Sequence, residues 1–182
     1  MGFMNRQKGL PFLLTAFIIL LDQWVKEFIV KNWPHEGTLI KDVFHNGLLY
    51  IFHVRNKAIA FSLGNNLPDF IRPFLFVVLP LVVLGFLLWY YLKSSDFSAS
   101  QRWAVAGIIG GGIGNMIDRV FRPDGVVDFI SIKFYGFLGL ERWPTFNVAD
   151  ASVVICCLIL LVTIIIPPLS QKAEQTKQEE SL

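Results

Sequence analysis

The apolar residues of this chain fall into long blocks instead of alternating with polar residues. A bilayer core about 30 Å thick is spanned by roughly 20 mostly apolar residues in an α-helix. Four blocks reach that order of length, near residues 11–30, 70–92, 102–121 and 148–169. The pattern therefore predicts an all-α membrane bundle of four transmembrane helices, in a single domain over residues 1–182.

A more polar stretch, residues 31–69, separates the first two blocks. Within it, the runs Thr38–Ile40 and Leu48–Val54 flank His45-Asn46-Gly47, and Asn-Gly between apolar runs is the strongest short hairpin signal. Mixed alternation predicts another short strand near residues 126–134. The expected fold is thus a four-helix transmembrane bundle with a small β-element at one membrane surface (α+β).

Glycines are concentrated in the third block, at Gly107, Gly110, Gly111 and Gly114. Their spacing gives two small-xxx-small pairs, which let a neighbouring helix approach closely. We therefore expect the third helix to lie at the centre of the bundle. The polar residues 170–182 are predicted to be disordered.

Composition and charge exclude some classes of function. The chain is 54% hydrophobic and 16% charged, with a formal net charge of +2, and no run of Lys and Arg with interleaved aromatic residues suggests a nucleic-acid surface. Cys156 and Cys157 are neighbours within the last block, and we interpret them as membrane-buried small hydrophobes. The first block lacks a small-x-small cleavage site after it, so we expect an uncleaved helix.

Charged residues in or beside apolar blocks are candidates for function, because inserting one at a helix centre costs roughly 2.5–3.5 kcal/mol. In the first block, Asp22 and Lys26 lie four residues apart on one helix face and are expected to pair.

The third block carries a polar stripe near its end. Gly111, Asn115, Asp118 and Arg119 share one helical face. Asp118 could form a structural ion pair with Arg122, four residues later. Asn115 and Arg119 would then be able to donate hydrogen bonds to a substrate, although Arg119 fits a structural role equally well.

Two further aspartates flank the last two blocks. Asp128 follows the third block in an apolar context and could be a strand-end or turn residue. Asp150 follows Asn147 by three residues and could complete a capping box. Both fall on the same side, because the third block exits where the fourth enters. Two close carboxyl groups share a proton, so such a pair can act as base and acid in aspartyl peptide hydrolysis.

Other chemistries find little support. His35, His45 and His53 lack metal-ligand spacing, and neither H-E-x-x-H nor G-x-S-x-G occurs. The glycines at Gly110–Gly114 lie in an apolar helix without a preceding strand, which is unlike a phosphate loop. We expect no metal and no cofactor.

Five ordered motifs resemble the lipoprotein signal peptidases, also called type II signal peptidases. Together they are highly specific and span nearly the whole chain, whereas any one alone would be weak. They are Asp22–Lys26, Asn56–Ser62, Gly111–Val120, Val126–Phe129 and Phe146–Asp150.

The resemblance implies an aspartyl endopeptidase that removes the signal peptide from diacylglyceryl-modified bacterial prolipoproteins, cutting just before the lipidated cysteine. Asp128 and Asp150 correspond by position to the catalytic pair. The positions that match the substrate site are Asn56, Asn115, Arg119 and Asn147. Those that match supporting positions are Asp22, Lys26 and Asp118.

The resemblance also implies a location and partners. It places the chain in the bacterial inner membrane, with both termini in the cytoplasm and the active site at the periplasmic face. The β-element over residues 31–69 would then be a periplasmic cradle or lid. Expected partners are prolipoproteins and membrane lipids. Ala58 replaces the usual glycine of the second motif, so the loop after Asn56 is expected to follow a slightly different path.

Two alternatives remain at this point. A small membrane transporter or proton-relay protein could pass ions along Asp22, Asp118, Asp128 and Asp150. It predicts acidic residues near mid-span, whereas these cluster at one end. An assembly factor could instead bind lipoproteins without cutting them.

Overall fold

A computed structural model describes residues 6–57, 68 and 71–166. Four of the helices it describes are long, and a short helix α1 (Arg6–Gly9) precedes them. The long helices are α2 (Phe12–Asn32), α3 (Leu79–Lys93, entered through a π-helical segment Phe74–Val78), α4 (Ala99–Phe121) and α5 (Val148–Ile165). Ala58 and the tail predicted at residues 170–182 lie outside the described residues.

Two of the described helices are long and apolar enough to cross a membrane. They are Phe74–Lys93, with a mean hydropathy of 2.4, and Val148–Ile165, with 2.8. Their large apolar side chains are mostly exposed, as on a surface that faces lipid. Helices α2 and α4 have 21 and 23 residues, which corresponds to about 31–35 Å, but their polar residues lower the hydropathy. The count of four transmembrane helices therefore stays a prediction.

Helix α4 lies between α2 and α5, as its glycines predict. A Cβ on Gly110 would come within 3.1 Å of the Thr15 backbone in α2. A Cβ on Gly111 would overlap the Ala149 carbonyl in α5. The helix begins at Ala99, three residues earlier than predicted, because Ser98 and Gln101 form a capping box that draws polar residues into the first turn. Close packing of α4 brings its polar end against both neighbours.

A three-stranded antiparallel sheet caps this end, in the order β1 (Leu39–Asp42), β2 (Leu49–Asn56) and β3 (Val126–Ile132). The predicted hairpin and the predicted third strand are thus confirmed. Strand β3 packs Val127 and Phe129 onto Ile29 of α2. Its first four residues are buried, so β3 brings Asp128 into the interior.

Candidate active site

Asp128 lies on β3 with only 2% of its surface exposed. The antiparallel register places it opposite Val54 of β2, two residues before Asn56. The Asn56 amide Nδ2 donates to Asp128 Oδ2 at 3.0 Å, and the Asn147 Nδ2 donates to Oδ1 at 2.7 Å. Each carboxyl oxygen therefore has a side-chain amide donor.

Asp150 lies in the first turn of α5, three residues after the helix N-cap Asn147. The backbone N–H of Asn147 donates to Asp150 Oδ2 at 3.2 Å, and the backbone N–H of Asp150 donates to Asn147 Oδ1 at 2.9 Å. This is the capping box considered from the sequence. Asn115 of α4 adds a donor, with Nδ2 at 2.7 Å from Asp150 Oδ1.

Asn147 connects the two aspartates. Its Oδ1 is committed to the N–H of Asp150, which turns its Nδ2 toward Asp128 Oδ1 and toward Asn115 Oδ1 at 3.0 Å. Both carboxyl groups thus bond to the same asparagine. The side chain is fully buried and does not line the cavity, although the sequence suggested a substrate contact for Asn147.

A buried ion cluster of Lys26, Asp22 and Asp118 lies next to the residues that hold Asp128 and Asp150. Lys26 Nζ lies 2.7 Å from Asp22 Oδ2 and 3.0 Å from Asp118 Oδ2, and all three side chains are 0% exposed. The same ammonium donates to Asn115 Oδ1 at 3.1 Å. Since that oxygen accepts from a cation, the amide Nδ2 of Asn115 must point to Asp150. Lys26 therefore sets the orientation of a donor to the pair.

The two aspartates of this cluster also hold the segments that carry the pair. Asp22 Oδ1 accepts from the backbone N–H of Ala149 at 3.0 Å, at the start of α5. Asp118 Oδ2 accepts from the N–H of Val127 at 3.1 Å, next to Asp128. The predicted pair of Asp118 with Arg122 is also present, at 3.1 Å.

Sequence reasoning assigned no role to Gln23, which contributes to the same cluster. Its Nε2 lies 3.2 Å from Asp22 Oδ2, 3.1 Å from Asp118 Oδ1 and 3.0 Å from the Gly114 carbonyl. The sequence signal for Gln23 is its position next to the charged Asp22 within an apolar block. Gln23 links α2 to α4 at the level of the two aspartates.

A cavity of about 620 Å³ opens beside the pair. Its polar side contains five residues singled out from the sequence: Asn56, Asn115, Arg119, Asp128 and Asp150. The remaining lining is mostly apolar and was not anticipated. It consists of Val126, Trp143, Pro144, Thr145, Phe146, Ala151, Val153, Val154 and Ile155. The cavity therefore combines polar groups suited to a peptide bond with apolar groups.

Arg119 reaches the cavity from α4. Its Nη1 donates to the Phe76 carbonyl in the π-helical segment at 3.0 Å. Its guanidinium interacts electrostatically with the carboxyl groups of Asp150 and Asp128. Arg119 is therefore a cation beside the pair whose position depends on the segment before α3.

The environment of Asp128 favours its protonated form. Burial, followed by the negative charge of Asp150, raises the pKa of the Asp128 carboxyl from 3.8 to about 7. Hydrogen bonds from Asn56 and Asn147 and the charge of Lys26 oppose this rise without cancelling it. The Asp128 carboxyl thus holds its proton below about pH 7.

No group of three or more His, Cys, Asp or Glu side chains within residues 6–57, 68 and 71–166 could hold a metal ion. The buried His53 places its ring Nδ1 2.6 Å from the Trp33 carbonyl, and neither residue lines the cavity. The site therefore presents carboxyl, amide and guanidinium groups.

The chain is similar to several known proteins. The family model described as signal peptidase (SPase) II matches residues 14–166. A lipoprotein signal peptidase of Treponema denticola is 46% identical over 155 residues, which cover 84% of this chain and 88% of the relative. That of Treponema pallidum is 39% identical over 152 residues, covering 84% and 81%. A solved structure, described as a bacterial membrane enzyme determined by the in meso method, has a TM-score of 0.72 at 24% identity, covers 86% of this chain and 88% of that chain, and shares the fold.

Proposed function

The chain belongs to the signal peptidase II family, and we propose that it is an aspartic endopeptidase with Asp128 and Asp150 as its catalytic pair. Signal peptidase II function follows from the family match and from relatives named lipoprotein signal peptidase over most of the chain. The observation that supports the aspartic mechanism best is the meeting of two carboxyl groups at Asn147, beside the cavity.

The surroundings of the two carboxyl groups suggest different roles. Asp150 lies in the first turn of α5, where the helix dipole and two N–H donors stabilise a negative charge. Asp128 is buried on β3, and its pKa of about 7 keeps it protonated below that pH. We therefore assign Asp150 as the general base and Asp128 as the general acid.

The reaction then needs only water and the peptide. Asp150 removes a proton from a water molecule as the water oxygen attacks the scissile carbonyl carbon. Asp128 gives its proton to the carbonyl oxygen, which yields a neutral tetrahedral intermediate. When the C–N bond breaks, the nitrogen takes the proton held by Asp150, and the proton on the hydroxyl returns to Asp128. Both carboxyl groups end in their starting states.

The apolar lining of the cavity suits a lipid-modified substrate. Val153, Val154 and Ile155 of α5 line it, on a helix apolar enough to cross a membrane. Acyl chains can then stay in the lipid while the adjoining peptide bond meets the two aspartates, so that the lipid helps to position the bond. We propose that cleavage occurs just before the lipidated cysteine.

The remaining polar lining is assigned to the substrate backbone. Arg119, Asn115 and Asn56 each present N–H groups at the cavity, next to the pair. Asn147 is proposed as a positioning residue, since its side-chain Nδ2 donates to the Asp128 carboxyl and its backbone N–H donates to the Asp150 carboxyl. Four transmembrane helices, cytoplasmic termini and a periplasmic site in the bacterial inner membrane complete the proposal.

The proton-relay alternative is not favoured. Asp22 and Asp118 are neutralised by Lys26, with Arg122 also paired to Asp118, so they are poor relay groups. The relatives from both Treponema species carry the peptidase name.

Cleavage of a purified, lipidated precursor by the full chain in detergent tests the proposal. Asp128→Asn and Asp150→Asn should each lower kcat at least about 1,000-fold, because each removes an acid or base that the other cannot replace. Asp124→Asn, the same substitution at an exposed position, should retain activity. Mass spectrometry of the wild-type products locates the cut. Near-normal cleavage by both site variants would show that the catalytic pair is assigned wrongly.

A further inference from the structure

A proline removes the α-helical donor of a backbone carbonyl that Arg119 contacts. In a regular α-helix the Phe76 carbonyl would accept a hydrogen bond from the N–H four residues later. That residue is Pro80, which has no N–H and whose ring clashes with that carbonyl in α geometry. The chain is π-helical just before this point, at Phe74–Val78. Such π-helical turns are frequent at functional sites.

Arg119 of α4 donates to this carbonyl. Its Nη1 lies 3.0 Å from the Phe76 oxygen, and Phe76 is only 7% exposed, so bulk water competes little for the contact. A hydrogen bond from a charged donor is stronger than one between neutral groups. The guanidinium has five N–H donors in a rigid plane, so fixing one of them fixes the direction of the others. Arg119 also lines the cavity, beside Asp128 and Asp150.

We propose that the carbonyl of Phe76, opened by Pro80, anchors the Arg119 guanidinium in the orientation that binds the substrate. Phe76 and Pro80 are then positioning residues, which act on cleavage through Arg119. Without the anchor, a long and flexible side chain would have to be ordered by the substrate itself, which weakens binding. The inference rests on the proposed function, because it concerns substrate binding at the same cavity.

Pro80→Ala tests the anchor, because alanine restores an N–H that competes with Arg119 for the Phe76 carbonyl. Alanine is also a strong helix former, so the variant should fold. We expect KM for the lipidated precursor to rise about 3–10-fold, the effect of one hydrogen bond, while kcat changes less than about twofold. Pro73→Ala is the matched control, since it makes the same substitution at the exposed residue before the π-helical segment. Its KM should stay within about twofold of wild type.

The decisive comparison repeats Pro80→Ala in an Arg119→Ala background. If Pro80 acts through Arg119, the second substitution should change KM less than about twofold there. Where the Arg119→Ala variants cleave too slowly, the Kd of the precursor measured by fluorescence anisotropy replaces KM. The same factor in both backgrounds, or no effect of Pro80→Ala on wild-type KM, overturns the anchor.

These outcomes are separable from those of the aspartate variants. Cleavage that persists in Asp128→Asn and Asp150→Asn would remove the proposed catalytic pair and leave the coupling of Pro80 to Arg119 intact. Loss of cleavage in the aspartate variants without that coupling would remove only the anchor.

Discussion

Replacing Lys26 with methionine removes the ammonium that lies 2.7 Å from Asp22 and 3.0 Å from Asp118. All three side chains are 0% exposed, so water cannot take the place of the lost cation. Methionine has a similar length and keeps most of the packing. Breaking a buried ion pair by removing one partner costs about 3–5 kcal/mol, because the other charge stays buried without compensation.

This loss should be visible in thermal unfolding. For a chain of this size, each kcal/mol corresponds to roughly 2–4 °C, so the Tm of Lys26→Met should fall by roughly 6–20 °C. Tryptophan fluorescence of the purified variants in one detergent measures the change. Lys31→Met is the matched control, because Lys31 is exposed near the end of the same helix, and its Tm should fall by less than about 4 °C.

A second substitution identifies the cause. Asp22→Asn in the Lys26→Met background removes the carboxylate left without a cation, since Asp118 keeps its pair with Arg122, and the Tm should recover in part. If Lys26→Met and Lys31→Met lowered Tm equally, the ion cluster would contribute little, and the reasoning from burial would be refuted.

Two further predictions concern proton binding and helix packing. Because Asp128 must hold its proton and has a pKa of about 7, kcat/KM should fall as pH rises above about 7. Asn56→Ala removes a hydrogen bond that favours the ionised form, so this fall should move to higher pH in a pH–rate profile; a move to lower pH would contradict the assignment of Asp128. Gly111→Ala places a Cβ against the Ala149 carbonyl and should lower Tm by roughly 2–12 °C, from an overpacking cost of about 1–3 kcal/mol. Gly85→Ala, with open space around its Cβ, is the control, and equal Tm values for the two variants would argue against close packing of α4 on α5.

The local features of this site were predictable from the sequence. The spacing of Asp22 and Lys26 predicts their ion pair, and the spacing of Asn147 and Asp150 predicts the capping box, because both contacts lie within one turn of a helix. The Asn-Gly hairpin and the glycine-rich central helix were also predicted from short-range patterns.

The contacts between elements were not predictable in the same way. Asn56 meets Asp128 because of the register between β2 and β3, which are far apart in the chain. The sequence predicts Asn147 at the substrate site, whereas the burial of its side chain and the bond from its Nδ2 to Asp128 come from tertiary packing. The Phe76 carbonyl that accepts from Arg119 has no side-chain signature, and only Pro80 indicates that it lacks an α-helical donor.

The central claim is that Asp128 and Asp150 act together on the attacking water, so that the oxygen that water contributes to the tetrahedral intermediate lies between them. A lipidated peptide whose scissile amide is replaced by a hydroxyl-bearing carbon resembles that intermediate, and its hydroxyl marks the position of this oxygen. A crystal structure of the complex should place the hydroxyl oxygen about 3 Å from a carboxyl oxygen of each aspartate. A hydroxyl bound to only one of them, or a peptide bound outside this cavity, would contradict the account.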